Sequence, residues 1–187
     1  MPELPALRTY TSKTLDNGDG SRTLEAHAGH IHFKDALGNF SPVDYTLIDQ
    51  GTFWELTQAS YRLRIAKSFG APALIQFTNK YEGADHVITY EPTAIYWVNA
   101  DNRNQRQQFR AAQAVTGTLD PATNTITYAN AFGSGVDFQV QVGRSGIRKW
   151  IVANSAPPAA PYANAWLVPV FKWDAQGLTL RSNDGLD

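Results

Sequence analysis

The chain contains no cysteine and a single methionine. That excludes a disulfide framework and any thiolate metal site. No stretch approaches the run of about 18 apolar residues that a membrane-spanning helix needs. Neither charge is in excess: 16 basic residues stand against 17 acidic ones, for a net charge of −1. Such a balance gives no electrostatic ground for binding nucleic acid or an anionic membrane. The opening MPELPALRTY lacks the basic region and apolar run of a signal peptide, so secretion by that route is not expected. A catalytic or cofactor signature is also missing, and no cofactor is expected.

What is present points to strands. The 187 residues include 14 Gly and 10 Pro, and 12% are aromatic. This is a β-rich composition with many turns. A chain of this length suits one domain, or one with a small appendage, and buries about 70% of its unfolded surface without staples.

The most informative stretch is Ile126 to Val152. Val136, Phe138, Val140 and Val142 alternate with Asp137, Gln139 and Gln141. A period of two puts four apolar side chains on one face and three polar ones on the other. A strand with one wet face is not stable alone, so further strands must cover its apolar side. Ile126 and Tyr128 open the strand before it, and Ile147 to Val152 the strand after it.

Elsewhere, Asp16-Asn17-Gly18-Asp19-Gly20 reads as a tight turn between strands at Tyr10–Leu15 and Arg22–Ala28. Gly29 marks a parity change and is expected to form a bulge, with His30 and His32 on one face of a strand. Tyr61, Leu63 and Ile65 alternate with Arg62 and Arg64. Strands at His86–Tyr90 and Ala94–Val98 are expected to flank a turn at Glu91-Pro92. Asp101 to Gln108 reads as an exposed polar loop, followed by a helical turn through Arg110 to Ala114. Ser155 to Pro161 is a stiff proline-rich tether, and Trp166 to Leu180 a final hairpin. Turns every 8–12 residues make the expected fold an all-β antiparallel sandwich of short strands, with extended proline-bearing arms. The expected organisation is a body over residues 1–154 that includes an N-terminal arm. Residues 155–187 would add the tether and terminal hairpin, packed on the same domain.

Three stretches also carry a family resemblance. TSKTLDNGDGSRTLEAHAGHIHFKDALGNFSPVDYTL resembles a segment of bacterial cell-wall-associated and YD-repeat (rearrangement-hotspot) surface proteins, with its "DNGDGT" turn and "IHYKD..G.W..ID..L" run. The matching residues are Ile31, His32, Phe33, Lys34, Asp35, Gly38, Phe40, Val43, Asp44 and Leu47. Asn124 to Ile151 is similar to that family's "N.I.Y.N.F...D..Y.V...GIKE.I" pattern through Ile126, Tyr128, Phe132, Asp137, Val140, Gly146, Ile147 and Lys149. The Phe171 to Leu180 hairpin is a third likeness. Related segments look like parts of phage structural proteins. The resemblance implies a β-sandwich in a large surface or virion protein, and it transfers no catalytic residue. The chain departs from the family in having no YD repeats.

Candidate sites are few. His30 and His32, with His27 nearby, are the nearest approach to a metal cluster. They lack further ligands in the sequence neighbourhood, so hydrogen-bonded histidines on a polar strand are the expected reading and no metal is assigned. Asp16, Asn17 and Asp19 fail a calcium pattern, because Gly18 stands where an oxygen ligand is needed. Glu25, Asp44, Glu55 and Asp137 are scattered acids with no signalled catalytic pair, and no G-x-S-x-G elbow accompanies the histidines. Exposed aromatic rings can stack on sugars. Tyr96 and Trp97 are adjacent on a strand, so one of them faces out and is the candidate for a glycan or interface contact. Arg103, Arg106 and Arg110 in the polar stretch are candidate interface residues. Leu4 and Leu7, on the N-terminal segment, are candidates for an assembly arm.

The expectation that follows is a non-catalytic structural protein of a phage virion, a capsid decoration or tail-associated component acting through protein–protein contacts, possibly with itself. The alternatives are a scaffold domain of a secreted bacterial surface protein and a carbohydrate-binding module with a glycan ligand. The expected location is the virion or, on the alternatives, the cell surface. Neither nucleic acid nor membrane is expected as a partner.

Overall fold

A computed structural model describes residues 1–35, 37–59, 61–79, 86–144 and 146–176. The fold is all-β: the described residues form fifteen strands in antiparallel sheets, with one 3-10 turn at Pro5–Leu7.

The larger sheet holds seven strands: β5 (Ile48–Asp49), β6 (Phe53–Leu56), β7 (Tyr61–Ala66), β8 (Ile75–Asn79), β9 (His86–Asn99), β10 (Arg106–Ala111) and β15 (Ala165–Gln176). Strand β9 is its spine. Along one edge it pairs with β15 throughout; along the other it pairs first with β8 and then with β10. The smaller sheet runs β11 (Thr118–Asp120), β12 (Thr125–Tyr128), β13 (Val136–Gly143) and β14 (Gly146–Ala153) in sequence order.

The two sheets face each other across one core, as the alternating pattern requires. Val136, Phe138, Val140 and Val142 are all buried, while Asp137, Gln139 and Gln141 lie on the other side of β13. They pack with Leu56, Leu63, Ile65 and Ile75 of the larger sheet, and with Phe69 and Phe132 on the loops. Phe69 is the hub, with Tyr128, Phe132 and Phe138 rings 5.2–5.3 Å from it. Gly117 sits so close to this core that a Cβ there would fall 2.6 Å from the Tyr128 ring.

Strands β1 (Ser12–Asp16) and β2 (Arg22–Ala26), then β3 (His32–Lys34) and β4 (Phe40–Pro42), form two hairpins before the sandwich. Among the described residues, none before Tyr45 belongs to the sandwich core, and only Thr14 and His32 are buried in this N-terminal unit. Polar bonds therefore hold it: Arg8 donates to both oxygens of Glu3 and to the Phe40 carbonyl.

Several expectations are corrected. Glu91-Pro92 is not a turn, because β9 runs straight through it. A bulge at Thr93 absorbs the proline at a point where the edge has passed from β8 and has not yet reached β10. Thr93 also donates its hydroxyl to the Val170 carbonyl across the bulge. Arg110 to Ala114 is not helical; Arg110 and Ala111 end β10, because pairing with β9 overrides local preference. Gly29 is no bulge, since the chain leaves the sheet between β2 and β3. The N-terminal segment is not a free arm. Glu3 bridges to Leu15, and Leu4 N–H donates to the Thr14 carbonyl at 2.8 Å. The last strand packs on the body: β15 pairs along twelve residues of β9. The expected return strand at Leu178 to Leu180 lies outside the described residues.

Candidate functional site

Two places gather the functional side chains, one on the larger sheet and one where the two sheets part. The first is an outer corner where β10, β9 and β15 lie side by side. Register puts Arg106, Val98 and Trp166 in one row, and Gln108, Tyr96 and Val168 in the next. The adjacency of Tyr96 and Trp97 is thereby resolved. Trp97 turns inward, only 9% exposed, against Phe109 at 5.6 Å. Tyr96 turns outward, where its hydroxyl donates to Gln108 Oε1. The Arg106 guanidinium lies 5.7 Å from the Tyr96 ring, and that of Arg103 lies 5.8 Å from the Trp166 ring. Trp166 is 52% exposed. Neither arginine has a carboxylate partner among the described residues. The sequence placed Trp166 only at the start of the final hairpin. Its place beside the arginines depends on β15 pairing with β9, which no local signal announces.

Arg110 does not join this corner. Its pair across the strand is Ile95, an inward residue, so it faces a second feature. This is a cleft of about 480 Å³ between the edge strands β14 and β15, where the two sheets part. Ile95, Phe109, Phe138, Ile151, Leu167 and Phe171 wall it. Trp150 stands at its rim, 40% exposed. Lys149 enters from β14. Its cross-strand partner is the fully buried Val140, so it points to the inner face. Its ammonium sits 4.3 Å from the Tyr90 ring and 5.8 Å from that of Phe171. These surroundings desolvate the ammonium and push its pKa down, although the side chain still reaches water at the cleft mouth.

The remaining candidates are dispersed. His30 precedes β3 and stacks on Tyr10 at 5.1 Å. His32 is buried, with Nδ1 2.8 Å from the Thr9 carbonyl and Nε2 3.2 Å from Glu3. Each ring nitrogen thus lies within hydrogen-bond reach of a protein oxygen. The structure thus separates His30 from His32 and gives His32 a structural partner set. No group of three or more potential ligands forms among the described residues. Leu4 is half-buried against β1, while Leu7 remains exposed on the 3-10 turn.

The carboxylates are held in structural bonds. Glu55 accepts from Arg64 at 2.8 Å and Arg62 at 3.1 Å. Glu25 pairs with Lys13, and Asp137 takes bonds from Asn130 and Asn154. The Thr46 hydroxyl holds Asp44 below the usual carboxylate range, Lys67 does so for Asp49, and the Thr123 hydroxyl for Asp120.

No family model matches the chain, and neither curated proteins nor solved structures gave a match.

Proposed function

We propose that this chain is a non-catalytic structural module that joins a larger assembly through protein–protein contacts, as a capsid decoration or tail component of a phage virion does. The observation that carries the reading is the outer corner of Tyr96, Trp166, Arg103 and Arg106. Tryptophan, tyrosine and arginine are the residues that dominate binding energy in protein interfaces. Here two arginines without carboxylate partners lie against two outward rings. The engaged state of the carboxylates supports a non-catalytic role. A general acid needs a pKa raised toward neutrality, whereas Asp44, Asp49 and Asp120 are pushed the other way.

The same corner supports a second reading. Outward rings beside Gln108 and arginines also suit a sugar face. One experiment separates the two. Sedimentation of the full chain, alone and with virions or cell envelopes of its source, is compared with a variant carrying Arg103→Ala, Arg106→Ala and Trp166→Ala. The expected result is association by the full chain and its loss in the variant, with an unchanged thermal melt. A chain that stays monomeric and unattached, yet shows a saturable glycan-induced tryptophan change abolished by Trp166→Ala, overturns the assembly reading in favour of carbohydrate binding.

A further inference from the structure

The cleft between β14 and β15 has a composition that the assembly reading does not use. Its walls come from both sheets and are mostly apolar. At about 480 Å³ it falls within the roughly 300–1,000 Å³ span of small-molecule sites. Two cations, Lys149 and Arg110, line it, and no carboxylate does. Neither cation has an ion-pair partner among the described residues. Lys149 rests on the Tyr90 and Phe171 rings, and Arg110 on that of Phe109, 5.2 Å away. Both side chains reach solvent, but on the protein side they meet ring π-clouds and no anion, so an incoming anion would pair them.

The flanking edges narrow the choice of occupant. An apolar gap between two strand edges that have no partner strand among the described residues invites an added strand. Both edges here carry features that oppose strand addition. Lys149 is an inward-pointing charge on β14, and Pro169, midway along β15, has no N–H to donate. Ser155 to Pro158 then passes along the cleft wall as a proline-bearing strap. A ligand that needs no backbone ladder suits this place better than a strand does.

We infer that the β14–β15 cleft binds a small amphipathic carboxylate, an unbranched fatty acid, with its chain against Ile95, Phe138, Ile151, Leu167 and Phe171 and its carboxylate on Lys149 and Arg110. The inward face of the sheet carries this site and the outward face the assembly corner, so the two stand or fall separately.

The test is titration of the full chain with straight-chain carboxylates from six to fourteen carbons, below their micellar concentrations. Trp150 emission and calorimetry are the readouts, and the primary alcohols of equal length serve as controls. Affinity should rise about fourfold per added methylene until the cleft is full, then level off. Each carboxylate should bind at least about tenfold more tightly than its alcohol, a gap that corresponds to an ion pair of about 1.4 kcal/mol. Lys149→Met, which keeps the apolar stem, should bring carboxylate and alcohol together. Arg110→Gln should narrow the gap without affecting the alcohols. Equal affinity for acid and alcohol in the full chain overturns the proposal, and so does the absence of saturable binding. A carboxylate preference that survives both substitutions also overturns it. So does a concentration-dependent dimer that shields Trp150 and is indifferent to ligand, because the cleft would then be covered by a second copy.

Discussion

Phe138 shows how much one side chain holds. It lies between the sheets, fully buried, with the rings of Phe69, Phe132, Tyr128 and Phe171 between 5.2 and 6.4 Å away. Phe138→Ala should cost about 3–5 kcal/mol, the lost transfer energy plus the cavity. Chemical denaturation measures it, and a change under about 1 kcal/mol would remove Phe138 from the core. Gly117 makes the opposite point. No free volume exists for a side chain, since an added Cβ meets two carbons of Tyr128 at 2.6 and 2.9 Å. Tyr128 cannot easily yield, because its hydroxyl donates to the Ala66 carbonyl at 2.5 Å and burial has pushed its pKa upward. Gly117→Ala should therefore destabilise by about 1–3 kcal/mol as overpacking. A neutral or stabilising result in the same denaturation series would show that the ring shifts freely.

At the scale of elements, the N-terminal hairpins and the sandwich strands rest on different forces. Strands β6 to β9 and β12 to β14 bury one apolar face each. Strands β1 to β4 depend on Glu3, which links Arg8 to His32. The Arg8 guanidinium holds the Glu3 carboxyl below its ordinary value of 4.5. A carboxyl with a depressed folded-state pKa contributes stability that is present above its unfolded value and is lost as pH falls through the folded one. The hairpins should therefore loosen below about pH 4.5, before the sandwich does. Amide hydrogen exchange read across pH checks this, with the expectation that residues 3–43 lose protection first. Glu3→Gln should bring that loosening to neutral pH and leave β13 protected. Simultaneous loss of protection in both units would refute the separation.

For the molecule as a whole, the connector after β4 is the joint. Asn124, at φ 54°, lies at the β11–β12 turn. It accepts from Leu47 N–H and donates to the carbonyls of Tyr45 and Val142. Those bonds fix the start of the sandwich at about Asp44. Removal of residues 1–43 should leave a cooperatively melting sandwich, because no core residue is lost with them. Differential scanning calorimetry of the truncated chain tests it, and collapse of the transition would mean that the hairpins are integral to the body. The assembly corner and the Lys149 cleft both lie on the sandwich, so both binding activities should survive the truncation.

The all-β class and the β12–β14 meander were legible in the chain itself. A period-two pattern such as Val136 to Val142 has one solution, and the Asp-Asn-Gly and Asp-Gly turns mark where strands reverse. That Arg62 and Arg64 share one face of a strand was legible for the same reason, and the structure adds Glu55 as their partner. What tertiary structure alone decided was pairing between distant segments. Pro92 reads locally as a break, and only β15 and the Thr93 bulge make it part of a strand. Tyr96 and Trp97 have equal local claims to face outward, and the facing sheet decides between them. Lys149 reads as one more surface charge until Val140 opposite shows that it points inward. In each case the deciding contact is with another strand and not with a sequence neighbour. Local propensity amounts to fractions of a kcal/mol per residue, whereas burying one large side chain amounts to about 1.5–3 kcal/mol, so the long-range contact prevails.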